Sequence, residues 1–120
     1  MTRNSDADAS VFYENVPLKN ERRIAHSQLP VSTKIFDSCD YWVEHHESHA
    51  AGAYYTAPFS EDVVVLVIDA IGEWTTSSIW TMNRKKLKKV YEKIYPQSIG
   101  LFYSAITKRI DLKPNEDEYI

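Results

Sequence analysis

The chain has 120 residues and a mass of 13.9 kDa, enough for one compact domain and too little for two of ordinary size. Hydrophobic residues make up 43% and charged residues 26%, with a net charge of −3, a balance that argues for a globular chain and against wholesale disorder. The longest aliphatic run covers six residues, 63–68, against the ~20 of a membrane-spanning helix.

The start, MTRNSDADAS, is polar and acidic and lacks the basic, apolar and small-residue sections of a secretory signal. A poorly ordered segment is expected over 1–10, and a cytoplasmic chain is the default. Over 11–24, VFYENVPLKNERRI suggests a loop that enters a short helix near Leu18. Pro30 and β-branched residues predict an extended connection to residue 38, and CDYWVE a short strand. Cys39 is the sole cysteine, which rules out an intrachain disulfide and a cysteine-based metal cluster and suits a reducing compartment. The small residues of HESHAAGAYY predict a closely packed helix over 46–55, closed by Pro58 and Ser60.

The run VVVLVI is apolar on both faces and predicts a central strand covered on both sides, with Gly72 in the turn that follows. Residues 75–82 and 85–94 continue it as a meander of three strands. The last of these also fits an amphipathic helix, because Leu87, Val90, Tyr91 and Ile94 recur at helical spacing. Beyond Pro96, the residues Ile99, Phe102, Tyr103, Ile106 and Ile110 predict a helix that packs on the sheet. The glycines, Gly52, Gly72 and Gly100, lie too far apart for a P-loop or a dinucleotide fingerprint.

His45, His46 and His49 fall within five residues. On a helix, His45 and His49 share a face and stand close enough to hold one metal ion, while His46 turns roughly 100° away. A pair at this spacing is equally compatible with surface or core decoration. H-E-x-x-H is not formed, since His46 and His49 are three apart. Asp69 closes a strand in front of Gly72 and Glu73; strand ends of this kind handle magnesium or phosphate, and Asp and Gly also favour ordinary turns. Arg84, Lys85, Lys86, Lys88, Lys89 and Lys93 place six positive charges in ten residues. That strip fits a solvated outer face better than a track for nucleic acid, given the acidic chain. The aromatic residues Phe12, Tyr13, Trp42, Tyr54, Tyr55, Trp74 and Trp80 are expected in the core or lining a pocket rather than as a stacking platform.

Taken in order, FYENVPLKNERR, HHESHAAGAYYTAPF, VVVLVIDAIGEW and PQSIGLFYSAITKRIDLKPNEDEYI resemble the carbamoyltransferases that modify nodulation factors, cephalosporins and aminoglycosides. The likeness covers 11–120. It implies an α/β fold: part of an actin-like ATPase made of two ribonuclease-H-like halves, with the end of the first half and the β-β-β-α start of the second. It also implies an H-x-x-x-H metal motif at His45 and His49, for Fe(II) or another divalent ion, completed by a downstream Asp whose position the resemblance leaves open. The family loop D-G-x-G-E, which contacts nucleotide or carbamoyl phosphate, matches at Asp69, Gly72 and Glu73, with Ala70 in place of the first glycine.

The implied chemistry joins carbamoyl phosphate and ATP, with Mg, into carbamoyl adenylate and passes the carbamoyl group to a hydroxyl-bearing acceptor. Family members are several times longer, with a G-x-x-H-D loop before this region and an M-G-L/M segment after it. A fragment is therefore expected, inactive in transfer by itself. Two other readings compete: a tRNA threonylcarbamoyl-adenosine enzyme of the same branch, which carries a serine- and glycine-rich loop in place of DAIGEW, and a non-catalytic nucleic-acid-binding module using 84–93.

Overall fold

The computed structural model describes residues 7–58, 62–83 and 86–119. Within them a two-stranded parallel sheet, a three-stranded antiparallel sheet and three α-helices form a mixed α/β structure. Strand β1 (Val11–Phe12) pairs with β2 (Tyr41–Trp42), Val11 opposite Tyr41. The expected strand at 39–44 is thus two residues long, and its partner β1 lies where a loop was expected. Ser10 bonds the Asp40 carboxylate through its amide and hydroxyl, at 2.9 and 2.7 Å. Ser10 is thus held in place, and residues 1–6 of the start expected to be poorly ordered lie outside the described residues.

Helix α1 (Val16–Ala25) begins two residues before Leu18. Asn15 caps it by accepting the Leu18 amide at 3.1 Å, and Pro17 sits in the first turn, where no amide partner is needed. Arg22 and Arg23 close its last turn, where cations suit the helix dipole. A short 3-10 turn (Phe36–Ser38) interrupts the extended connection. Helix α2 (His45–Thr56) has no side-chain cap of its own. Its predicted stop at Pro58 is consistent with its end at Thr56, and Ser60 lies outside the described residues.

Strands β3 (Val63–Ile68), β4 (Thr75–Asn83) and β5 (Lys86–Ile94) form the larger sheet in sequence order. The strand reading of the last segment holds. Strand β3 is an edge strand, however, and β4 is the middle one. Only one face of β3 is buried: Val65 and Val67 join Ala50 of α2 and Trp80 of β4 in the core, with Val63 and Leu87 at its margin. Val64, Leu66 and Ile68 point to solvent. An apolar run without alternation marks a strand that needs cover on both faces, and the described residues supply cover on one.

Helix α3 (Ile99–Arg109) is capped by Ser98, whose Oγ accepts the Leu101 amide at 3.0 Å. The helix is where the spacing predicts it, but Ile99, Phe102, Tyr103, Ile106 and Ile110 are exposed instead of packed on the sheet, and Thr107 is its buried residue. The aromatic expectation is corrected as well: Trp80 is buried, whereas Tyr13, Trp42 and Tyr55 are exposed.

Candidate metal centre

The turn after β3 brings its end against the first turn of α2. There His45 Nε2 lies 2.8 Å from Asp69 Oδ2 and 3.0 Å from His49 Nε2, and His49 Nε2 lies 3.8 Å from the same Asp69 oxygen. Donors that share one cation at roughly 2.0–2.2 Å must lie within about 4.4 Å of one another, and all three separations meet that condition. Two imidazoles and a carboxylate are also a donor set that takes Fe(II), Zn or a similar divalent ion. His45 and His49 thus meet as the helical spacing predicts, and Asp69, assigned by resemblance to the nucleotide or carbamoyl phosphate side, faces both of them. An open groove runs from His49 and Asp69 along Val65–Ile68.

The charges of this cluster support each other. The hydrogen bond from His45 lowers the Asp69 pKa from 3.8 to about 2, helped by the Ala70 amide and against the effect of burial. The same bond raises the His45 pKa. His46, one residue on, points into the sheet: it is 1% exposed, its Nδ1 pairs with Ser78 Oγ at 2.7 Å, and burial lowers its pKa. Ser78 Oγ also accepts the Trp80 indole N–H. His46 is accordingly a core residue, as the geometry of the helix requires.

Glu73 is 4% exposed. Its Oε1 accepts the backbone amides of Asn15 at 2.6 Å and His45 at 3.0 Å, so it supplies the missing N-terminal cap of α2. Gly72 lets α2 approach: a Cβ there would lie 3.2 Å from the His45 Cβ and from the His46 ring. These two residues of the matched loop are therefore packed against the histidine helix, and Asp69 alone among the three reaches the histidine side chains.

Sequence reasoning missed four residues that shape the centre. Arg22 is buried with its Nε donating to the Glu73 carbonyl, and burial lowers its pKa. Glu14, buried beside His45, binds Lys19 Nζ at 2.8 and 2.9 Å. Ser98 Oγ also donates to the Ala70 carbonyl at 2.6 Å, and Gly100 lies directly against the Asp69–Ala70 backbone. A glycine near the start of an apolar helical run was the available signal for the last; nothing local marks Arg22 or Glu14.

In the basic strip, Lys86, Lys88 and Lys93 are exposed, and Arg84 and Lys85 lie outside the described residues. Lys89 is paired with Glu44 and Glu92 at 3.0 and 2.9 Å and lies over Trp80. The strip is largely the outer face of β5. No helix among the described residues is long and apolar enough to cross a membrane.

The model of the carbamoyltransferase N-terminus family matches residues 5–120. An uncharacterized protein of Synechocystis is 45% identical over 76 residues, covering 63% of this chain and 12% of its own length. An uncharacterized protein of Methanocaldococcus jannaschii is 34% identical over 99 residues, covering 71% of this chain and 16% of its own length. The chain belongs to the carbamoyltransferase N-terminus family and spans less than a fifth of the length of these relatives.

Proposed function

We propose that this chain is the metal-binding part of an O-carbamoyltransferase that uses ATP and carbamoyl phosphate. The observation that carries the reading is the convergence of His45, His49 and Asp69 at the open mouth of β3, in a chain of this family. The β-β-β-α order after α2 supports an actin-like ATPase fold of ribonuclease-H-like halves. His45, His49 and Asp69 would hold a divalent ion, iron first among candidates, which when bound supplies a Lewis acid for phosphate or carbamoyl oxygens.

The protein groups have their own tasks. Asp69 balances part of the cation charge, and its low pKa keeps it ionised at neutral pH. His45 gives up its proton to act as a ligand, so binding releases a proton and strengthens as pH rises. Glu73 and Arg22 hold the start of α2 and the 69–73 turn in register. The groove beside His49 and Asp69 is the proposed approach for the carbamoyl donor, with Mg-bound ATP nearby. Overall, carbamoyl phosphate, ATP and one water yield carbamoyl adenylate, phosphate and pyrophosphate, the water cleaving carbamoyl phosphate to carbamate and phosphate before the carbamate oxygen displaces pyrophosphate from ATP; an acceptor hydroxyl then takes the carbamoyl group and releases AMP and a proton.

The test begins with metal. Under anaerobic loading with Fe(II), the chain should retain about one ion, His45→Ala, His49→Ala and Asp69→Ala should each release it, and His46→Ala should keep it. In an enzyme of the relatives' full length carrying these residues, the same three substitutions should abolish ATP-dependent transfer of label from carbamoyl phosphate. Full transfer by the His45→Ala and His49→Ala variants defeats the proposal.

A further inference from the structure

We propose that Glu14 is a positioning residue of this centre: its buried carboxylate receives the Nδ1–H of His45 and holds that ring with Nε2 turned toward His49 and Asp69. The inference rests on the metal-centre reading above. His45 uses Nε2 on the ligand side, and a neutral imidazole that offers the Nε2 lone pair carries its proton on Nδ1. That Nδ1 is buried and has no hydrogen-bond partner. The carboxylate oxygen facing it is Glu14 Oε2, at 3.7 Å, about 0.5 Å beyond the usual hydrogen-bond limit of roughly 3.2 Å.

Three features make this placement a built one. Glu14 is 4% exposed, a position at which a carboxylate is retained only with partners. Lys19 takes both of its oxygens at 2.9 and 2.8 Å, and each oxygen keeps a second lone pair. The residue after Glu14 and His45 itself are tied together, since the Glu73 Oε1 accepts both the Asn15 and the His45 amides. Ligating histidines commonly donate their second ring N–H to a carboxylate, which fixes tautomer and ring orientation.

Zn(II) affinity, read by chelator competition, and the ¹⁵N signals of the His45 ring with and without Zn(II) test the inference in the wild type, Glu14→Met and Glu14→Gln. Glu14→Met, which has no strong acceptor, should weaken Zn(II) binding by about 10- to 100-fold and shift the Nδ1 signal of the Zn(II)-loaded His45 ring. Glu14→Gln loses the Lys19 ion pair but keeps an acceptor oxygen, so it should bind close to wild type; a purely structural ion pair would make Gln as poor as Met. If Glu14→Met does not fold, Glu14→Ala is read in its place. Wild-type affinity and an unchanged Nδ1 signal in the Zn(II)-loaded Met variant, or equal losses in Met and Gln, overturn the role of Glu14 alone. A wild type that binds no Zn(II) overturns the metal centre and this inference together.

Discussion

His45 and His46 are neighbours whose imidazole pKa values are shifted in opposite directions, because one meets a carboxylate and the other meets the core. The hydrogen bond with Asp69 raises His45 above 6.5 and lowers Asp69 from 3.8 to about 2. In the metal-free chain, the His45 contribution to stability is full below pH 6.5 and is lost as pH rises through its raised pKa. The Asp69 contribution is full above pH 3.8 and is lost as pH falls toward 2. The pair therefore stabilises most between these limits, and urea midpoints should fall on both sides for the wild type and much less for Asp69→Asn. Parallel profiles for the two proteins would remove the ion pair from the account. For His46, the Ala variant leaves a cavity beside Ser78 and Trp80 and should cost about 2 kcal/mol or more in urea unfolding, with its metal content unchanged.

At the level of elements, the three glycines separate by what surrounds them. A Cβ on Gly100 would sit 2.6 Å from the Ala70 backbone, so Gly100→Ala must push α3 off the turn that carries Asp69. It should lose about 1–3 kcal/mol of stability and weaken metal retention. Gly72→Ala meets His45 and His46 at 3.2 Å and should be milder in both respects. Gly52 has nothing within 4 Å of the added carbon and lies inside α2, so Gly52→Ala should stabilise by roughly 0.5–1 kcal/mol through helix propensity. Thermal unfolding that ranks the three otherwise would contradict the packing described. The existence of α2, α3 and the three-stranded meander was legible from periodicity and turn residues. The Glu73 cap was not, because it joins amides 58 and 28 residues away, and no local pattern encodes a cap supplied by another element.

Across the described residues, apolar surface is left open on several elements, among them Val64, Leu66 and Ile68 on β3, Val90, Tyr91 and Ile94 on β5, and Ile99, Phe102 and Tyr103 on α3. Contiguous apolar faces beside an unpaired strand edge promote association in water. The isolated chain should self-associate in sedimentation experiments, and Leu66→Lys, at a side chain 62% exposed, should shift it toward monomer without unfolding it. A monodisperse wild-type monomer at high concentration would show that these faces are satisfied in another way. By itself the sequence determined the helix that pairs His45 with His49, the exclusion of His46 and the strand that leads to Asp69, because these follow from periodicity over a few residues; the family entered separately, through the resemblance of whole motifs. Tertiary structure alone decided that Asp69 meets the histidines, that Glu73, Arg22 and Glu14 stand behind them, and that β3 is an edge. Those outcomes depend on which distant segments pack together, and the energies of burial and long-range hydrogen bonding that select them leave no local periodicity.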